Sequence, residues 1–119
     1  LRITTVRCYA DALRRIVAML NPTAPERMVD QRGRPYFLWD VDLTLAQFLK
    51  LLRSSDGTVR AYWVGKLMRQ AKPDDALTYV RADEMEALWT GIEPYLGDKR
   101  EFWKWFLEQR RMRSHHVAG

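Results

Sequence analysis

Residues 58–71, Thr-Val-Arg-Ala-Tyr-Trp-Val-Gly-Lys-Leu-Met-Arg-Gln-Ala, decide the fold. Val59, Tyr62, Trp63, Val64, Leu67 and Met68 recur at helical spacing and cover much of the circumference, so this helix needs neighbours on more than one side. It is therefore expected to be central. Lys72-Pro73 ends it, because proline disfavours helical backbone in the residue before it.

Upstream, Thr44-Leu45-Ala46-Gln47 has the spacing of a capping box and opens a helix through Leu52, which Ser54-Ser55-Asp56-Gly57 closes. Downstream, Asp74-Asp75 is expected to cap a short helical turn carrying Ala76, Leu77, Tyr79 and Val80. Another helix begins at Ala82 or Asp83 with Met85, Leu88, Trp89 and Ile92, and Pro94 bends or splits its end. Gly97 stops that helix, and Asp98 with Glu101 reads as a capping pair that restarts the chain as an aromatic helix. Residues 36–40 are extended or turn-like, and no strand alternation of useful length appears anywhere. The predicted class is all-α, a compact bundle of about five to six short helices.

Before this core, Val6, Tyr9, Ala10, Leu13, Ile16, Val17 and Leu20 mark an amphipathic helix that Asn21-Pro22 ends. Three prolines and Gly33 then fall within residues 21–35. The sequence thus divides into an N-terminal helix over 1–20, a connector over 21–35 that would let this helix protrude as an arm, a helical core over 36–113, and a flexible tail over 114–119.

The 119 residues suffice for one domain with a core, and 47% hydrophobic with 29% charged residues is an ordinary globular mixture. Apolar runs are short and broken by charge, and no signal-peptide pattern is read, so a cytoplasmic address is expected. Cys8 is read as a small buried hydrophobe, and no metal-ligand spacing or cofactor motif is found. The net charge of +5 invites a nucleic-acid partner, but charge alternates by segment. Residues 46–72 are basic, 73–98 acidic, and 99–113 basic again. Alternation suits helix pairing or a protein partner with its own charge pattern better than a continuous phosphate track.

Catalytic chemistry has little to stand on. Asp40 and Asp42 have a spacing that divalent-ion sites use, but Gln31-Arg32-Gly33-Arg34-Pro35 stands where a nucleotidyltransferase needs a phosphate-holding turn, so both read as turn and capping residues. His115 and His116 read as a frayed tail, and no serine or Cys8 has a plausible base. The chain is not expected to be an enzyme.

The closing helix has two readings. Phe102, Trp103, Phe106 and Leu107 fill one arc, as a core helix requires, while Trp105 lies outside it with Met112 beside it. Interfaces favour Trp, Tyr and Arg, so the partner-binding candidates are Trp105, Gln109, Met112, Phe106, Trp103, Arg110 and Arg113. The basic run ending the helix also suits its dipole.

Several segments in order also resemble a known family. They are Leu38-Trp39-Asp40-Val41-Asp42-Leu43, Asp56-Gly57-Thr58-Val59-Arg60-Ala61-Tyr62-Trp63 with Leu67-Met68-Arg69, and Ala71-Lys72-Pro73-Asp74-Asp75. Leu88-Trp89, Ile92-Glu93-Pro94-Tyr95-Leu96-Gly97 and Lys99-Arg100-Glu101-Phe102-Trp103 follow. Over about residues 36–107 the chain is similar to the small bacterial proteins encoded beside AbiEii/MenT-type nucleotidyltransferase toxins. The resemblance implies an antitoxin that neutralises a tRNA-modifying nucleotidyltransferase toxin by direct protein binding. AbiEi-type antitoxins bind operator DNA through a winged-helix domain that is not read here, so nucleic-acid binding by this chain alone is not expected. The competing reading is a small DNA-binding transcriptional regulator, suggested by the net charge and the basic helix ends.

Overall fold

The computed structural model describes the backbone of residues 21–118 and side chains as far as Met112. The predicted N-terminal helix over 1–20 lies outside the described residues. The protein is all-α, with no named strand among the described residues. Among the described residues seven α-helices follow one another: α1 (Pro25–Met28), α2 (Leu45–Leu52), α3 (Gly57–Gln70), α4 (Pro73–Tyr79), α5 (Ala82–Ala87), α6 (Trp89–Ile92) and α7 (Arg100–Ala118). Two 3-10 turns, Glu93–Tyr95 and Gly97–Lys99, lie between α6 and α7. Residues 22–100 form one unit, and α7 from Glu101 onward belongs to a second.

Within residues 22–100, α3 is the central element, packing against α2, α4, α6 and both 3-10 turns. Its Ala61, Val64, Leu67 and Met68 are buried, as the wrapped apolar pattern requires. Asp56 caps it by accepting from the Thr58 and Val59 amides at 2.9 and 3.4 Å. The segment expected only to close α2 therefore also starts α3. The α2 capping box forms as predicted: the Gln47 amide donates to Thr44 Oγ1 at 3.2 Å, and the Thr44 amide donates to Gln47 Oε1 at 2.9 Å.

A chain of ring contacts crosses this unit. Phe37 meets Phe48 at 5.4 Å and Tyr79 at 6.3 Å between ring centres, Phe48 meets Trp63 at 6.1 Å, and Tyr62 bridges Trp63 and Tyr95 at 5.0 and 5.1 Å. Most of these pairs meet edge to face, the arrangement that aligns a ring's positive edge with its neighbour's negative face. The rings come from a turn, α2, α3, α4 and a 3-10 turn, so they join elements that are separate in sequence.

Three sequence expectations are corrected. Asp75 caps nothing: α4 starts with Lys72 at the N-cap position and Pro73 as its first residue, and no side chain caps it. Asp75 is instead fully buried. Asp98 likewise makes no cap; Gly97, at φ +54°, turns the chain into a 3-10 turn that runs directly into α7. The helix expected from residue 82 onward breaks at Leu88 into α5 and α6. No helix among the described residues is long and apolar enough to cross a membrane.

Candidate functional site

The predicted interface residues on α7 divide by exposure. Trp103 and Phe106 are buried, as is Leu107, whereas Trp105 is 46% exposed and Met112 48%; Phe102, expected in the core arc with Trp103, is instead 40% exposed. Phe102 lies near Trp105 at 6.3 Å and stacks on Phe106 at 6.2 Å between ring centres. Trp105, Gln109 and Met112 fall on one helical face because their spacing is four and then three residues. Gln109 and Arg110 are partly exposed, and the Arg113 side chain lies outside the described residues. The helix itself continues to Ala118, so His115 and His116 sit on helical backbone. Trp103 and Phe106 thus sit on the buried side, and the exposed apolar strip is Phe102, Trp105 and Met112.

Asp40 and Asp42 do not converge on an ion site. Asp40 accepts from Lys66 Nζ at 2.6 Å and from Gln70 Nε2 at 3.2 Å, which joins its turn to α3. The Lys66 hydrogen bond, helped by Gln70, outweighs partial burial and holds the Asp40 carboxyl below its ordinary range. Asp42 lies 3.7 Å from an Arg34 guanidinium nitrogen. Among the described residues no group of three or more His, Cys, Asp or Glu side chains is placed to hold a metal ion.

A second polar assembly ties distant segments together. The buried Asp75 carboxylate accepts from the Thr23 amide at 2.7 Å, the Thr23 hydroxyl at 2.6 Å and the Tyr36 hydroxyl at 2.6 Å. The Tyr36 oxygen in turn accepts from the Lys72 amide at 2.9 Å. Burial pushes the Asp75 carboxyl up, but the hydrogen bonds from Thr23 and Tyr36 outweigh it and hold the group below its usual range. Burial and then the Asp75 carboxylate push the Tyr36 hydroxyl up to about 12. This network fixes residues 23 and 36 against the start of α4.

It also bounds a cleft that the sequence did not announce. Met28 and Tyr36 begin a short antiparallel pairing in which the Tyr36 amide donates to Met28 O and the Asp30 amide to Arg34 O, both at 2.9 Å. The turn between them is held by Asp30, whose carboxylate accepts from the Arg32 and Arg34 amides at 2.9 and 3.0 Å and from Arg34 Nε at 3.0 Å. Beside it lies a cleft of about 350 Å³ lined by Arg27, Val29, Asp30, Arg34, Tyr36 and Trp39, among others. Trp39 is 72% exposed, the most exposed large apolar side chain among the described residues. Its backbone is held between buried Leu38 and the anchored Asp40. A second, shallower groove of about 580 Å³ runs past Thr58, Ala61, Leu88, Gly91 and Tyr95.

Sequence reasoning passed over Trp39 because its neighbours have no helical period. That lack of period was the available signal: a large apolar residue in a turn has no amphipathic face to bury it. Arg27 and Val29 carried no comparable mark, since only folding brings them to Trp39. The fold and its surface define a small helical protein with exposed aromatic side chains beside cationic ones. Compared with protein-family models, curated proteins and solved structures, the chain has no match in any of the three.

Proposed function

We propose that this chain is a non-catalytic antitoxin that neutralises a tRNA-modifying nucleotidyltransferase by binding it directly in the cytoplasm. The observation that supports this reading best is the exposed strip of Phe102, Trp105 and Met112 on α7, apolar surface of the kind that protein interfaces use. The resemblance of residues 36–107 to the small partners of AbiEii/MenT-type toxins supplies the identity of the partner. In this reading Trp105 and Met112 fill apolar pockets of the toxin, Gln109 and Arg110 supply polar contacts around them, and the toxin carries all the chemistry.

The test is nucleotide transfer to tRNA by an AbiEii/MenT-type toxin encoded beside this chain, measured with and without the purified chain. Stoichiometric loss of transfer together with co-purification is expected. Trp105→Ala should retain its fold and weaken the complex roughly thirtyfold, the loss of about 2 kcal/mol that removal of a hot-spot aromatic produces. Undiminished affinity removes Trp105 from the interface. Full toxin activity in the presence of excess chain, with salt-sensitive binding of the chain to operator DNA, selects the regulator reading instead.

A further inference from the structure

The cleft at Trp39 has three features that together describe an occupant. The first is an open backbone edge. Val29 pairs with Pro35 through an isolated antiparallel bridge, and the flanking hydrogen bonds, Tyr36 to Met28 and Asp30 to Arg34, make Val29 and Pro35 the non-bonded pair. The Val29 amide and carbonyl consequently point away from Pro35, and neither has a hydrogen-bond partner among the described residues. A residue of an incoming extended chain can satisfy both groups, as in strand addition. The second feature is Trp39, which offers a largely exposed apolar wall beside that edge on a backbone held at Leu38 and Asp40. The third is charge. Asp30 is occupied by its own turn and Arg34 by Asp30, whereas the Arg27 guanidinium has no ion pair or hydrogen bond among the described residues. One uncompensated cation beside one apolar wall matches one carboxylate beside one apolar side chain.

We propose that this cleft binds an extended, acidic segment of a partner protein, which pairs its backbone with Val29, lays an apolar side chain against Trp39 and places a carboxylate on Arg27. The proposal deepens the partner-binding reading above and rests on it for the source of the segment. A nucleic-acid strand fits less well, because a phosphate track would meet a single uncompensated guanidinium in the cleft and the Asp30 carboxylate beside it.

The experiment uses the full chain labelled with 15N and two capped peptides, acetyl-Val-Glu-Leu-Glu-Val-amide and acetyl-Val-Lys-Leu-Lys-Val-amide. The acidic peptide is expected to shift the Val29 amide and the Trp39 indole signals and to bind about tenfold more tightly than the basic one. Trp39→Ala should weaken the acidic peptide by about tenfold, and Arg27→Glu should reverse the preference between the peptides. Both side chains lie on the surface, so the remaining amide signals should stay in place and report an intact fold. Equal binding of the two peptides, or shifts confined to α7, overturns the proposal. So do shifts at Val29 and Trp39 that appear on raising the chain's own concentration, which assign the cleft to a second copy, or that appear with oligouridine and not with the acidic peptide. Neither peptide involves the nucleotidyltransferase, so the two readings fail separately. Toxin inhibition without acidic-peptide binding removes this inference alone, whereas peptide binding at the cleft without any effect on the toxin removes the antitoxin reading alone.

Discussion

Asp75 carries a negative charge at a fully buried position, which is tolerable only because three donors surround it. Removing the carboxylate leaves the Tyr36 and Thr23 hydroxyls and the Thr23 amide without their acceptor. Asp75→Ala should therefore cost about 3 kcal/mol or more in chemical denaturation. Tyr36→Phe removes one donor to Asp75 and the acceptor of the Lys72 amide, and should cost about 1–3 kcal/mol. The pH dependence has opposite signs at the two ends of this network. Folded Asp75 binds its proton less tightly than the unfolded chain does, so its contribution is complete above the ordinary carboxylate pKa of 3.8 and is lost as pH falls through the depressed value. Folded Tyr36 binds its proton more tightly, so its contribution is complete below the ordinary pKa of 10.0 and is lost as pH rises to about 12. Thermal unfolding followed across pH should show both losses, and Tyr36→Phe should reduce the alkaline one to the part carried by Tyr79, whose hydroxyl burial also pushes up.

At the scale of elements, two glycines set how closely the neighbours of α3 approach it. A Cβ on Gly91 of α6 would lie 2.9 Å from the Ala61 Cβ of α3, and one on Gly65 would lie 3.1 Å from the Tyr95 Cβ. The short helix α6 and the following 3-10 turn can therefore pack directly on α3. Gly91→Val should lower stability by about 1–3 kcal/mol through this overpacking. Gly57→Ala, where the added carbon meets only the far end of Arg60 at 4.0 Å, should leave the melting temperature unchanged or raise it. The α2 capping box and the end of α3 at Lys72-Pro73 were legible because they depend on residues at most three positions apart. The break between α5 and α6 was not legible. Met85, Leu88, Trp89 and Ile92 keep a helical period across Leu88, and periodicity alone cannot register a backbone that leaves helical geometry at one residue.

At the scale of the molecule, the α7 strip at Trp105 and the cleft at Trp39 present the two most exposed tryptophans among the described residues. If one partner covers both as independent contacts, Trp105→Ala combined with Trp39→Ala should weaken the complex by about the product of the separate effects. A calorimetric titration of the toxin with the two single variants and the double variant measures this directly. Sequence alone determined the all-α class, the central position of α3 within residues 22–100 and, on α7, the buried places of Trp103, Phe106 and Leu107 and the outer place of Trp105, but not the exposure of Phe102. Those properties follow from local periodicity and from proline and capping chemistry, which act over a few residues. Tertiary structure alone decided that Asp75 is a buried acceptor and not a cap, that Asp40 is held by Lys66 and Gln70, and that Arg27, Val29 and Trp39 border one cleft. Each of those arrangements joins residues ten or more positions apart through the path of the chain, and no local pattern of residue types encodes that path.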